Sequence, residues 1–158
     1  MARHGSVCKA GVRYADSGEH MKVVVIGCGR VGSAVALNLR SSGWEVSVID
    51  EREEALGRLG DGWSGEFHVG HGMDIPLLRR AGIEAADAVV VTTDGDNSNI
   101  VIGQIAQKQF DVRSVVVRVL DPARAEFFAA RGLNVVCPTK NAIETLSAAV
   151  IEREPSLT

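Results

Sequence analysis

The chain has 158 residues, 46% of them hydrophobic and 23% charged, with a formal charge of -3; this suits one ordinary globular domain with enough apolar material for a core. The acidic balance excludes a mainly electrostatic nucleic-acid binder, and no apolar run approaches the ~20 residues that a membrane-spanning helix needs. Cys8, Cys28 and Cys137 form no CxxC pair, which argues against a disulfide framework or a zinc site and points to a reducing cytosol.

In chain order, residues 1–20 ("MARHGSVCKAGVRYADSGEH") lack an apolar h-region and any periodicity. They read as a flexible leader rather than a signal peptide. The domain is expected over 21–152, with a short tail at 153–158. "KVVVIG" (22–27) is an apolar run closed by glycine, as in a buried strand. "GSAVALNLRSSG" (32–43) places Val35, Leu37 and Leu39 among small residues and stops at Ser-Gly, as a helix does. "EVSVID" (45–50) is a second strand, "EREEALGRL" (51–59) a charged surface helix and "EFHVG" (66–70) a weak third strand.

"IPLLRRAGI" (75–83) predicts a short helix with Pro76 in its first turn, where a missing N–H costs little. "DAVVVTT" (87–93), "SVVVRVL" (114–120) and "LNVVCP" (133–138) predict strands four to six. "NSNIVIGQIAQKQF" (97–110), "DPARAEFFAARG" (121–132) and "NAIETLSAAVIE" (141–152) predict the helices between and after them. Alternating strands and helices imply a parallel sheet with right-handed crossovers and both faces covered. The expected fold is a single α/β domain of the Rossmann type: a doubly wound, parallel, six-stranded sheet in the order 3-2-1-4-5-6. Its ligand crevice should lie at the carboxyl ends of the first and fourth strands.

The chemistry concentrates there. Gly27, Gly29 and Gly32 fit G-x-G-x-x-G directly after a strand and before a helix. The first glycine permits the tight turn, the second lets backbone approach a pyrophosphate and the third lets helix and strand pack closely. The helix N-terminus then offers N–H groups and a partial positive charge to phosphate. Asp50 closes strand two about twenty residues on, where an acid hydrogen-bonds a ribose 2′-hydroxyl. A carboxylate there repels a 2′-phosphate, which favours NAD(H), or another nucleotide with a free ribose, over NADP(H).

Five further positions carry two readings each. Arg30 either grips phosphate oxygens or is a solvated arginine on a first helical turn. Thr92 and Thr93 either meet the ribose and phosphates or cap the following helix. Arg118, a charge in an apolar run, either reaches a phosphate or forms a structural ion pair. Asp74 either frames an adenine pocket or caps a helix. His68 and His71 read as surface residues, and Cys28 and Cys137 as small core residues. No Ser-His-Asp arrangement, metal cluster or P-loop is legible, which shifts weight from an enzyme to a binding module.

The phrases "KVVVIGCGRVG", "VSVIDE", "GHGMD", "LLRRAGIEAADAVVVTTDGDNSNIV" and "VVVRVLDPARAEFFAARGLNVVCP", in that order, closely resemble the RCK N-terminal (KTN) domain, the nucleotide-binding half of Trk-type potassium uptake regulatory subunits. The resemblance runs from Met21 to about Glu152. It implies a non-enzymatic cytosolic subunit that binds NAD(H) or ATP/ADP, forms a homo-oligomer and gates a membrane-embedded potassium transporter or channel. It would put the pyrophosphate against Gly27, Cys28, Gly29, Arg30 and Val31, and the adenosine ribose on Asp50. Thr92 and Thr93 would line the crevice, and Arg118 would approach the phosphates or the nicotinamide side. It also favours packing of the last helix, with Ile143, Leu146, Ala149 and Val150 near helical spacing, on a second copy.

Two departures stand out. Many relatives continue into a second ligand-binding domain, whereas only "IEREPSLT" ends this sequence. Some ATP-responsive relatives carry an acid after the proline that closes strand six; here Thr139 follows Pro138, which tilts the expectation toward NAD(H). The competing reading is a small NAD-dependent oxidoreductase or a fragment of one.

Overall fold

The computed structural model describes residues 20–152. The expected leader, except its last residue, and the expected tail lie outside the described residues. Six parallel strands form one sheet: β1 (Lys22–Ile26), β2 (Glu45–Asp50), β3 (Glu66–Val69), β4 (Ala88–Val91), β5 (Ser114–Arg118) and β6 (Asn134–Val136). Their order is β3-β2-β1-β4-β5-β6, as expected. The helices are α1 (Arg30–Ser41), α2 (Ile75–Arg80), α3 (Asp96–Lys108), α4 (Pro122–Ala129) and α5 (Pro138–Ile151).

The sheet is central because β1 is apolar on both sides. Val24 and Ile26 join one core with Leu78, Val89, Ile102 and Val117. Val23 and Val25 join the opposite core with Ala36, Val48, Ala55 and Leu59. With period-2 side chains, a strand that must satisfy two cores reads as an unbroken apolar run.

Three local expectations are corrected. Residues 51–59 do not form an α-helix: Glu53–Leu59 is a 3-10 helix. Arg52 N donates to Asp50 Oδ1 at 2.9 Å, so a turn occupies the residues where the helix would begin. A second 3-10 turn, Ile83–Ala85, follows Gly82, whose φ of 84° ends the α2 segment earlier than expected. The last helix begins three residues before the predicted Asn141. Cys137 caps it and Pro138 occupies its first turn, where proline's missing N–H has no intrahelical partner to lose. Pro138 therefore opens α5 rather than closing β6, and Thr139 sits in a helical turn. No helix among the described residues is long and apolar enough to cross a membrane.

Candidate nucleotide crevice

The β1–α1 turn is built by two kinds of glycine. Gly27 has φ +97°, and a Cβ there would lie 2.7–2.8 Å from the Thr92 carbonyl and Thr93 N. A Cβ on Gly32 would overlap the Gly27 carbonyl oxygen and stand 2.7 Å from Thr92 Oγ1. Both positions are glycine because the protein itself leaves no room. Gly29 differs: its φ of -79° and ψ of -162° suit any residue, and an added Cβ would meet nothing within 4 Å. It faces open space over the carboxyl end of the sheet.

Asp50 ties this turn to β2. Its Oδ2 accepts from Cys28 N at 2.7 Å and its Oδ1 from Arg52 N at 2.9 Å, with the side chain only 10% exposed. Each carboxylate oxygen has two acceptor directions, so capacity for a hydroxyl remains. Gly27 N donates to Ile49 O at 2.8 Å, and Thr92 Oγ1 donates to Gly27 O at 3.1 Å. β2, the glycine turn and the end of β4 are thus locked together.

A cleft of about 190 Å³ opens at this point. Gly27, Gly29, Asp50, Thr92 and Thr93, all expected from the sequence, line it. Glu51, His71, Gly72, Gly95 and Ser98 line it as well, and none of these stands out in the sequence as a ligand contact. His71, a surface residue by sequence, is indeed exposed, but it stands in the crevice wall: Nδ1 accepts from Met73 N at 3.1 Å, and Nε2 lies 3.2 Å from Glu51 Oε1. The sequence signal for it is the pair of glycines on either side, in "GHGMD", since Gly72 leaves the wall close against Ile26 and Ile102. His68, by contrast, pairs with Glu66 at 3.0 Å outside the crevice.

Other expected contacts fall outside the lining. Arg30 and Val31 are exposed on the first turn of α1, and Gly32 and Cys28 are buried behind the turn. Asp74 caps α2, accepting from Leu77 N at 3.3 Å. Arg118 forms none of the ion pairs found among the described residues. Its Nη2 donates to Thr93 O at 2.8 Å, which braces the crevice wall from behind, and its buried Nε has no hydrogen-bond partner. The Cys28 thiol is pushed above its ordinary range, first by burial and then by the Asp50 charge, with Arg58 opposing. It donates to Ala55 O at 3.4 Å, as a core residue rather than a nucleophile.

Helix termini sharpen the picture. α2, α4 and α5 each have a side-chain cap, from Asp74, Asp121 and Cys137. α1 and α3 start at Gly29 and Gly95 without one. Both of those glycines line the crevice. Uncapped first turns leave N–H donors and the positive end of the helix dipole facing the cleft, a setting that suits anionic groups.

Residues 23–139 match the TrkA-N domain. The Trk system potassium uptake protein TrkA of Streptomyces coelicolor is 42% identical over 120 residues, 76% of this chain and 54% of that protein, so the chain spans about half the length of that relative. Two solved structures share the fold. The Kef CTD of Shewanella denitrificans in its AMP-bound form has a TM-score of 0.72 at 22% identity, covering 85% of this chain and 84% of the other. The GsuK channel bound to NAD has a TM-score of 0.70 at 24% identity, covering 84% of this chain and 24% of the other. A family match across most of the chain, on a sheet of the expected order, carries the conclusion: this chain belongs to the TrkA-N domain family.

Proposed function

We propose that residues 21–152 are the nucleotide-sensing domain of a cytoplasmic regulatory subunit, that the crevice binds NAD or NADH, and that binding gates potassium flux through a membrane-embedded transporter or channel. The observation that carries the binding part is Gly29. Its neighbours Gly27 and Gly32 are explained by contacts within the protein, whereas nothing in the fold requires glycine at Gly29. Close approach of a ligand to backbone does require it. Gly27 N and Cys28 N are engaged by Ile49 O and Asp50, so Gly29 N and the free N–H groups of α1 would hold a pyrophosphate, and Asp50 would hold the adenosine ribose. Glu51 beside Asp50 adds to the negative charge that disfavours a 2′-phosphate, offset in part by Arg52, which also lines the cleft with Nε 3.8 Å from Asp50 Oδ1. AMP and NAD, the ligands of the two structural neighbours, share an adenosine 5′-phosphate with ATP and ADP, so these compete for the same crevice. The potassium role rests on the named TrkA relative.

A binding module fits better than an oxidoreductase. His71, the one imidazole in the crevice wall among the described residues, is engaged by Met73 N and Glu51. Titration calorimetry against NAD+, NADH, NADPH, ATP and ADP tests the reading. Saturable binding of NAD+ or NADH is expected, with NADPH and the Asp50→Ala variant each weaker by at least about tenfold, roughly 1.4 kcal/mol. ATP binding without NAD(H) binding would reverse the ligand. Silence from all five would overturn the site.

The assembly part rests on α5, which has no buried residue. Ile143, Leu146, Val150 and Ile151 are 56–71% exposed at positions that share a helical face. A helix of this kind needs a partner, and a second copy supplies an identical one. Leu146→Glu is expected to shift the protein to a monomer in light-scattering chromatography. An unchanged mass would place the contact elsewhere.

A further inference from the structure

We propose that Asp96 and Asn99, on the first turns of α3, are positioning residues that transmit occupancy of the crevice to the root of α5. The inference rests on the binding reading above. Little holds α5 to its own domain. With none of its side chains buried, packing on its own domain does not set its direction, and only its root does. There, Cys137 Sγ accepts from Lys140 N at 3.5 Å and donates to Leu120 O at 3.6 Å. Val119 N donates to Val136 O at 3.0 Å. The root of α5 therefore hangs on the segment that leaves β5.

α3 grips that same segment from its other side. Asp96 Oδ1 accepts from Leu120 N at 2.8 Å, and Oδ2 accepts from Asp121 N at 3.0 Å. Asn99 Nδ2 donates to Arg118 O at 3.0 Å. Leu120 is thus held by its N–H to α3 and by its carbonyl to the cap of α5. An acid in a first helical turn ordinarily serves its own helix's N–H groups; Asp96 is committed to the neighbouring loop instead.

The gripping turns are also crevice wall. Asp94, Gly95 and Ser98 line the cleft, and Asn99 Oδ1 accepts from Thr93 N at 2.9 Å. A ligand drawn to the uncapped start of α3 would press on the turn that carries Asp96. The length of α5 amplifies a small movement at its root. A helix of 14 residues is about 21 Å long, so a rotation of about 10° at its root moves the far end by about 4 Å.

The alternative is that Asp96 merely staples a loop. Hydrogen-exchange mass spectrometry on the full chain, with and without saturating NADH at one protein concentration, separates the two, with affinity measured on the same samples. In the parent protein NADH is expected to change exchange over 119–121 and the first turns of α5 by about threefold or more. Asp96→Ala should keep its NADH affinity within about threefold and lose the change at α5, with Asp96→Asn, which retains one acceptor, in between. If Asp96→Ala does not fold, Asp96→Asn carries the test, and a parent-like response from it overturns the proposal. So does a parent protein that binds NADH with no response at α5. A parent protein that binds no nucleotide overturns the binding reading itself, and the inference with it.

Discussion

Gly32→Ala is expected to lower stability by more than about 3 kcal/mol, while Gly29→Ala folds normally and loses nucleotide affinity by at least about tenfold. The two substitutions add the same methyl group three residues apart. At Gly32 that methyl meets the Gly27 carbonyl, a backbone atom, and Thr92 Oγ1. The carbonyl cannot swing aside, because Gly27 N is held to Ile49 O at 2.8 Å and Gly27 O accepts from Thr92 Oγ1 at 3.1 Å. Relief requires α1 to move off the sheet. At Gly29 the backbone suits alanine and no protein atom lies within 4 Å. Removing glycine's freedom in the unfolded chain there stabilises by about 0.4–1 kcal/mol. Urea unfolding and calorimetry on the two variants check both halves. A Gly29→Ala protein that binds NADH like the parent would remove the main support for the crevice as a ligand site.

Asn99→Ala is expected to destabilise by about 3 kcal/mol and to lower the melting temperature by on the order of 10 °C. Asn99 is 1% exposed and uses its whole amide. Oδ1 accepts from Thr93 N and from Thr93 Oγ1, and Nδ2 donates to Thr93 O and Arg118 O, both at 3.0 Å. Truncation strands the Thr93 N–H and the Arg118 carbonyl and opens a small void between α3 and the ends of β4 and β5. Each stranded buried group costs about 1–3 kcal/mol. The same variant should weaken nucleotide binding, since Thr93 is crevice wall. Differential scanning calorimetry decides it: a melting temperature within about 2 °C of the parent would mean that solvent reaches these groups without penalty.

Sequence alone determined the sheet and its order, and pointed to the end of the sheet where a cleft opens, because apolar runs, alternation of elements and glycine turns are written along the chain. β1 reads as unbroken valines since two cores claim its alternating faces. The glycine spacing marks a turn whose positive φ at Gly27 and close approach of Gly32 to the Gly27 carbonyl are local, although Thr92 also crowds both positions across the sheet, and Asp50 sits where a strand end meets that turn. The tertiary structure decided where each polar side chain ends. Asp74 carries two readings in the sequence, and Leu77 N takes it as a helix cap. Arg118 could not be resolved from its own strand, because its partner, Thr93 O, lies 25 residues away on the neighbouring strand's end. His71 reads as surface in the sequence, and only folding brings Glu51, across β2 and β3, within 3.2 Å of it. α5 was legible as an amphipathic helix, but the absence of any burial on its own domain results from how Cys137 and Pro138 launch it. Periodicity reports which faces of a strand or helix are buried, whereas the reach of a long polar side chain depends on elements that only folding brings together.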